Sequence, residues 1–211
     1  MPRPVDPKRH RARRLQIIDA GLTVFARQGY AGATTSAICK EAGIGSGTFF
    51  HYFQTKNSLV LAILEEGAAE TREFFAAREG RDDAVVVLSE WVHHCLADLA
   101  DPRAPGFIAV VGGLVDDDDI AAALAQQERS TRDALTHWLT AARASGLIRT
   151  DLPPERLARW MVLIVDGFTG QAGASTGFDL DTERPLLFET LSSLLGRELT
   201  LDGPRRGPAT S

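Results

Sequence analysis

The sequence predicts an all-α protein of about nine helices. Apolar residues recur at three- and four-residue steps along most of the chain, as they do at Leu15, Ile18, Leu22 and Phe25. No run alternates apolar and polar residues in the way that a half-buried strand would. The first predicted helix begins at about Leu15 and ends before Gly29. The others are predicted over 35–42, 46–53, 55–78, 84–99, 107–115, 116–144, 155–171 and 182–196.

The start and stop signals between these segments support the helical assignment. Thr55 is a suitable N-cap for the long helix that follows it. Gly80 and the polar residues after it end that helix, and Ser145-Gly146 ends another. Four aspartates, 116–119, stand at a predicted helix start, where the helix dipole favours them, and they lack the glycine and distant glutamate of a calcium loop.

Two short helices joined at Gly43 predict a helix-turn-helix. Such a motif needs a glycine at the turn, a small residue where the helices touch, and apolar residues behind the second helix. Cys39 is small and stands four residues before Gly43, and Ile38, Ile44 and Phe49 supply the apolar contacts. The start of the second helix is slim and polar, as a helix that enters the major groove requires.

The charge distribution favours a polyanionic partner at one end of the chain. The net charge is −5, yet residues 1–56 contain nine basic and three acidic side chains, so this segment carries +6 and the remainder −11. A basic segment attached to an acidic body indicates that only the amino-terminal part binds a polyanion. Electrostatics alone would also allow RNA or an anionic membrane surface.

The amino-terminal part, from about Arg11 to Glu70, resembles the DNA-binding domain of the tetracycline-repressor (TetR) family. The resemblance is carried by Ile17–Tyr30, Thr34–Ile44, Gly47–Phe53 and Lys56–Leu59, which occur in the family's order. It implies a three-helix DNA-binding domain followed by a larger helical domain for ligand binding and dimerisation. The segment 146–151, with the helix that ends near Asp166-Gly167, is similar to a common carboxy-terminal variant of the family.

The resemblance also implies which residues contact DNA, and their chemistry agrees for most of them. Hydroxyl groups at the start of the first short helix suit a phosphate oxygen, and the second helix presents small polar groups to base edges. The expected DNA-binding residues are Thr34, Thr35, Ser36, Gly45, Ser46, Gly47, Thr48, Phe50, His51, Tyr52 and Lys56.

One of these positions departs from the family, and both Tyr52 and the basic segment before the domain have a structural alternative. The family usually has a tyrosine where this chain has Phe50, which has no hydroxyl for a phosphate but can contact a thymine methyl group or a sugar. Tyr52 could instead be a core residue. The basic segment from Lys8 to Arg14 could contact DNA or be a solvated terminus.

For the acidic body, the resemblance implies a cavity for a small-molecule inducer. Large apolar residues there are accompanied by a few polar groups, a composition typical of ligand sites, although a filled core is the alternative. The expected ligand-binding residues are Trp91, His94, Cys95, Phe107, Val111, Trp138 and Phe168. The resemblance also implies a homodimer through the last two helices, with Trp160, Ile164, Leu187, Leu191 and Leu194 at the interface, and packing of both helices in the monomer core is the alternative.

The domain assignment follows from these elements. We predict a flexible basic arm over 1–10, a DNA-binding domain over 11–55, a regulatory domain over 56–200 and a disordered tail over 201–211. No apolar run is long enough to span a membrane, and two cysteines without metal-ligand spacing fit a cytoplasmic protein. We expect no metal and no cofactor, since the histidines also lack the spacing of ligands.

The function that this reading predicts is a ligand-responsive transcriptional repressor that binds a palindromic double-stranded operator as a homodimer and is released by an inducer. A constitutive DNA-binding or adaptor protein with a filled core is the second reading. A small all-helical enzyme is the third, and the absence of a nucleophile elbow or a glycine-rich phosphate loop argues against it.

Overall fold

The computed structural model describes residues 6–174 and 177–200, with the side chains of residues 173 and 174 left out. This part of the chain is folded into nine helices and contains no strand, which confirms the predicted fold class. The helices are α1 (Pro7–Gly32), α2 (Thr35–Glu41), α3 (Ser46–Tyr52), α4 (Lys56–Ala76), α5 (Ala84–Asp98), α6 (Ala104–Gly112), α7 (Asp118–Ala144), α8 (Pro154–Ala174) and α9 (Leu180–Leu195). None of the helices described is both long and apolar enough to cross a membrane.

Helix α1 begins earlier than predicted. Residues 7–10, expected to be part of a flexible arm, are its first residues. The reason is local: Asp6 caps the helix by accepting a hydrogen bond from the Lys8 amide, and Pro7 occupies the first turn, where a missing N–H costs nothing. The rest of the predicted arm (1–5) and the predicted tail (201–211) lie outside the described residues.

The turn between α2 and α3 has the geometry that the motif requires. Gly43 has a φ of +61°, the left-handed region that glycine adopts without strain. The amide of Ile44 donates to the carbonyl of Cys39, which closes the end of α2. Cys39 and Phe49 are both buried in the core that α1, α2 and α3 share.

The described residues divide into two compact units. Unit 1 comprises Met1–Ala69 and Pro102–Leu124, and unit 2 comprises Glu70–Asp101 and Ala125–Ser211, each as far as the structure describes it. The division does not coincide with the predicted boundary at residue 56, because most of α4 and all of α6 belong to unit 1. The functional division into DNA-binding and regulatory parts stays a prediction.

Within unit 1, α6 crosses α1 at very close range. A Cβ atom added at Gly106 would lie 2.3 Å from the carbonyl oxygen of Ala26, so only glycine fits. Beside the crossing, Arg103 Nη1 donates to Asp19 Oδ1 at 2.7 Å and to the Thr23 hydroxyl at 3.0 Å. Packing at Gly106 and this polar contact together hold α6 against α1.

The starts of α6 and α7 show where the sequence-based boundaries were inaccurate. Helix α6 begins at Ala104 and not at Phe107, since Pro105 is tolerated in a first turn and the chain turns helical there. Asp117 caps α7 by accepting from the amides of Asp119 and Ile120, both at 3.1 Å. The aspartate run therefore contains a helix cap, as the sequence indicated.

Unit 2 has its own apolar core, to which α5, α7, α8 and α9 contribute. Trp91 and Trp138 are almost fully buried in it. Next to this core, the Arg78 guanidinium lies over the Phe74 ring at 3.6 Å and donates to Glu90 at 2.6 Å, which connects the end of α4 to α5.

We predict that Gly106→Ala destabilises unit 1. The added methyl group collides with backbone atoms of α1 that cannot rotate away, so a cost of about 3 kcal/mol, the upper end for an overpacked core, is expected. Chemical denaturation followed by circular dichroism measures it. Gly112→Ala, at the other end of α6, is the control, because a Cβ there meets nothing within 4 Å; equal effects of the two substitutions would contradict the predicted crossing.

Candidate nucleic-acid interface

Helix α3 has one face in the protein core and one in solvent. Phe49 is fully buried and Phe53, which follows the helix, is 4% exposed. Tyr52 is half-buried against the same core, and the other helix residues point outward: Ser46, Gly47, Thr48 and His51 are exposed, and so is Phe50, at 54%. The structure therefore brings the predicted recognition residues together on one solvent-facing surface.

Two glycines on this surface are not required by the fold. A Cβ atom at Gly45 or Gly47 would meet nothing within 4 Å, and neither residue has a positive φ. Gly45 is the N-cap of α3, a position that favours glycine over alanine, whereas Gly47 lies inside the helix, where glycine costs stability relative to alanine without a structural benefit. A helix that lies against the edges of base pairs gains from the absence of side chains at these positions, because its backbone can approach more closely.

Of the three hydroxyl residues at the start of α2, one caps the helix and the other two differ in their exposure to solvent. Thr34 caps the helix, since its Oγ1 accepts from the Ala37 amide at 3.1 Å. Ser36 is exposed and Thr35 is half-buried. The cap fixes the first turn of α2, in which these two neighbouring hydroxyl groups stand close to the positive end of the helix dipole.

Lys56 makes internal contacts that the sequence reading did not predict. Its Nζ donates to the carbonyl oxygens of Tyr30 and of Ala33, the latter at 3.0 Å, and lies 4.1 Å from the centre of the Tyr30 ring. Gly29, with a φ of +67°, breaks the regular path of α1 just before these carbonyls. Lys56 thereby connects the end of α1 to the start of α4, and this contact positions the motif irrespective of any phosphate.

A cluster of three aromatic side chains joins α1 to α3. The His10 ring lies 4.6 Å from the Tyr52 ring and 6.1 Å from the His51 ring, and His51 and Tyr52 are 5.2 Å apart. His10 was not among the predicted site residues. It precedes buried Ile17 by seven residues, so helical periodicity places it on the same face of α1, but periodicity does not identify the rings that it contacts.

The residues predicted to bind a ligand do not all belong to one unit. Trp91, His94, Cys95, Trp138 and Phe168 are in unit 2, whereas Phe107 and Val111 are in unit 1. In unit 2, the His94 ring stacks on Phe74 with 5.0 Å between ring centres. Among the described residues, Trp91 Nε1 and His94 Nε2 are buried atoms that have no hydrogen-bond partner.

Cys95 is not suited to nucleophilic chemistry. Burial raises the pKa of its thiol strongly, and the negative charges of Asp98 and Asp166 act in the same direction. The thiol therefore stays protonated at neutral pH, and the thiolate is the reactive form. The described part of the chain also contains no group of three or more histidine, cysteine or carboxylate side chains that could hold a metal ion.

Comparison with known sequences places this motif in a family. Residues 17–63, which span α2, α3 and the parts of α1 and α4 that pack on them, match the model of the bacterial regulatory proteins of the tetR family. An HTH-type transcriptional repressor of Mycobacterium tuberculosis is 28% identical over 160 residues, covering 74% of this chain and 80% of the relative. The HTH-type transcriptional repressor AcnR of Corynebacterium diphtheriae is 28% identical over 178 residues, covering 82% and 87%.

Solved structures share the fold over nearly the whole chain. A TetR transcription regulator from Haloarcula marismortui superposes with a TM-score of 0.74 at 19% identity and covers 90% of this chain and 99% of its own. The SmeT–triclosan complex gives a TM-score of 0.77 at 21% identity, with 95% and 100% covered. At these identities the likeness concerns the fold.

The fold and the exposed face of α3 define a helix-turn-helix protein, and the relatives to which it is similar are transcriptional repressors. Residues 17–63 therefore carry the sequence pattern of the bacterial regulatory proteins of the tetR family, and the chain shares the fold of solved TetR regulators.

We predict that Gly47→Ala stabilises the protein and weakens DNA binding. Replacing a glycine that the backbone does not need raises the free energy of unfolding by about 0.5 kcal/mol, while the new methyl group stands on the face that approaches the bases. We expect at least a tenfold loss of affinity, measured by fluorescence anisotropy with the intergenic DNA upstream of the gene. Gly67→Ala, at an open position of α4, is the control; a loss of affinity in both variants would contradict the assignment.

Proposed function

We propose that the protein is a homodimeric repressor that binds a palindromic operator and leaves it when a small molecule binds to the protein. The observation that carries the DNA-binding part is the solvent-exposed face of α3, where Ser46, Thr48 and His51 surround a glycine that the fold does not need. Repression is supported by the relatives from Mycobacterium and Corynebacterium, which are named transcriptional repressors. An operator as partner implies a cytoplasmic protein.

Direct contacts to bases belong, on this proposal, to Ser46, Thr48 and Phe50 of α3. Ser46 and Thr48 carry hydroxyl groups that can donate to or accept from base edges, and exposed Phe50 can contact a thymine methyl group. The phosphate contacts are assigned to the start of α2 and to His51 and Tyr52. Lys56 keeps a supporting role, because its ammonium group already binds two carbonyl oxygens.

Removing the hydroxyl groups of α3 tests this assignment. We expect Ser46→Ala combined with Thr48→Ala to abolish the shift of an operator fragment in a native gel, while the oligomeric state and the melting temperature stay unchanged. Ser145→Ala combined with Thr150→Ala, two exposed positions in unit 2, is the matched control. Unchanged binding by the α3 double variant would refute the placement of the recognition surface.

The homodimer is supported by large apolar side chains that remain exposed on the last two helices. Trp160 and Leu163 of α8 are 45% and 57% exposed, and Leu186 of α9 is 58% exposed. Apolar groups of this size on a soluble protein favour an interface. Of the predicted interface residues, Ile164 and Leu194 are half-buried, while Leu187 and Leu191 are buried in the core of unit 2.

The proposed interface therefore centres on Trp160, Leu163 and Leu186 and not on Leu187 and Leu191. A twofold axis through such an interface would present two recognition helices to the two half-sites of an operator.

Introducing charge at the exposed leucines tests the dimer. We expect Leu163→Glu combined with Leu186→Glu to convert the protein to a monomer in analytical ultracentrifugation and to weaken operator binding at least a hundredfold, since each half-site is then bound separately. Val86→Glu, at an exposed valine of α5 that is 43% accessible, is the control. A dimer that survives the double substitution would place the interface elsewhere.

An effector site in unit 2 is supported by polar atoms that its core leaves unsatisfied. Trp91 Nε1 and His94 Nε2 stand in a largely apolar environment, and a buried polar atom without a partner costs about 1–3 kcal/mol. A ligand that forms hydrogen bonds with these two atoms would remove this cost, so their presence in the core is consistent with a binding site. The related SmeT structure contains a bound small molecule, triclosan.

Release from DNA would follow if the effector favours a conformation that cannot bind both half-sites. Helix α4 begins with Lys56 in unit 1 and ends with Ala76 in unit 2, so it connects the proposed effector site to the motif through a continuous helix. A change in the position of its second half would reach the contact between Lys56 and the end of α1.

A further inference from the structure

Asp117 connects the start of α7 to the start of α4. Its Oδ1 accepts from the amides of Asp119 and Ile120, both at 3.1 Å, and thereby caps α7. The same carboxylate accepts from the side chain of Asn57, whose Nδ2 lies 3.3 Å from Oδ1 and 3.1 Å from Oδ2. Ile120 is fully buried in the core of unit 1, which anchors the capped end of α7 there. Asp117 therefore joins two helix starts within unit 1.

The orientation of the Asn57 side chain is determined by this carboxylate. An ionised carboxylate only accepts hydrogen bonds, so the amide nitrogen of Asn57, and not its oxygen, must face Asp117. The oxygen, Oδ1, is then buried and has no hydrogen-bond partner among the described residues. A buried acceptor without a partner costs stability, and alanine at this position would avoid that cost. What asparagine provides here is the bond that its nitrogen donates to Asp117.

The end of α1 also lies near this carboxylate. Of the four aspartates over 116–119, only Asp117 is half-buried, and the other three are exposed. Burial raises the pKa of Tyr30, and the negative charge of Asp117 acts in the same direction. Lys56, the residue before Asn57, donates to the carbonyl oxygen of Tyr30. The end of α1 and the starts of α4 and α7 therefore meet around one side chain.

The connection from α4 back to α3 is short and closed by hydrogen bonds. Helix α3 ends at Tyr52, and α4 begins at Lys56. The amide of Ser58 donates to Thr55 Oγ1 at 3.0 Å, and the amide of Thr55 donates to Ser58 Oγ at 3.1 Å, which is the reciprocal pattern of a capping box. Because the three connecting residues are held in this way, the position of the start of α4 determines that of the end of α3.

We propose that Asp117 is a positioning residue for DNA recognition: through Asn57 it holds the start of α4, and with it α3, in the orientation that fits the major groove. This role deepens the proposed function and rests on it for the effect on DNA. The contact also has a consequence without DNA, since α3 should open more often when the start of α4 is not held. Helix α7 continues into unit 2, so unit 2 is connected to this contact by a continuous helix, as it is through α4.

Exchanging the two side chains tests the proposal. Asn57→Asp places two carboxylates against each other, although the helix dipole favours an aspartate in the first turn of α4. Combining it with Asp117→Asn restores the bond with donor and acceptor reversed. The new asparagine can cap α7 with its oxygen and donate from its nitrogen to the new aspartate. The double variant also has the net charge of the original protein.

Two measurements on the full chain are compared. Fluorescence anisotropy gives the affinity for the intergenic DNA upstream of the gene, and mass spectrometry gives the hydrogen exchange of the α3 amides without DNA. We expect Asn57→Asp to weaken DNA binding and to accelerate exchange in α3, each at least tenfold, and the double variant to stay within about threefold of the original protein in both. A contact that serves stability alone would lower the melting temperature without changing the affinity of the folded protein.

A second variant keeps the test decisive if Asn57→Asp does not fold. Asn57→Ala removes the donor together with the unsatisfied oxygen and introduces no charge, so the protein should fold and should bind DNA at least fivefold more weakly. Asp118→Asn and Gln28→Glu, at exposed positions of unit 1, are the controls for the loss and the gain of a negative charge. Both controls should leave DNA binding and exchange unchanged.

A double variant that binds DNA as weakly as Asn57→Asp, or an Asn57→Ala variant that binds and exchanges like the original protein, would overturn the proposal. If the original protein does not bind the DNA, the proposed function fails, and the exchange measurement then decides the role of Asp117 by itself. Faster exchange in Asn57→Asp that the double variant reverses would support the positioning of α3, and unchanged exchange would refute it.

Discussion

The burial of Phe49 is the contact on which the presentation of α3 depends. Because this ring is fully enclosed by the core that α1 and α2 share, the helix cannot rotate, and the residues on its opposite side must face solvent. Gly43 allows the chain to enter α3 at the required angle. Lys56 then holds the end of α1 against the beginning of α4, so the motif is closed by a charge that binds backbone carbonyls.

The features that were predictable from the sequence are local ones. The bounds of α2 and α3, the glycine turn and the inward side of α3 follow from the spacing of a few neighbouring residues and agree with the structure within one residue. The contacts of Lys56 and His10 were not predictable in this way. The sequence pattern does not show which side chain will bind a carbonyl oxygen at a helix end. A histidine at position 10 is equally compatible with a solvent-exposed side chain.

Helix α9 shows why the dimer residues were harder to identify. Leu186, Leu187, Leu191 and Leu194 all fit an apolar helix, and periodicity gives their angular positions but not the partner of each face. The structure separates them: Leu187 and Leu191 pack in the core of their own unit, whereas Leu186 remains exposed. The same ambiguity affected the ligand residues, which hydrophobicity had grouped together although they belong to two units.

The early start of α1 fixes the spacing of the basic residues in its first turns. Lys8, Arg9, Arg11 and Arg13 are exposed on a capped helix and not on a flexible chain, so their spacing follows the rise of about 1.5 Å per residue. A helix limits how many of these charges can reach one stretch of phosphates at the same time. In the proposed complex with DNA, the number of sodium or potassium ions displaced from the duplex, and with it the steepness of the ionic-strength dependence, would then be determined by helix geometry and not by the total positive charge of the segment.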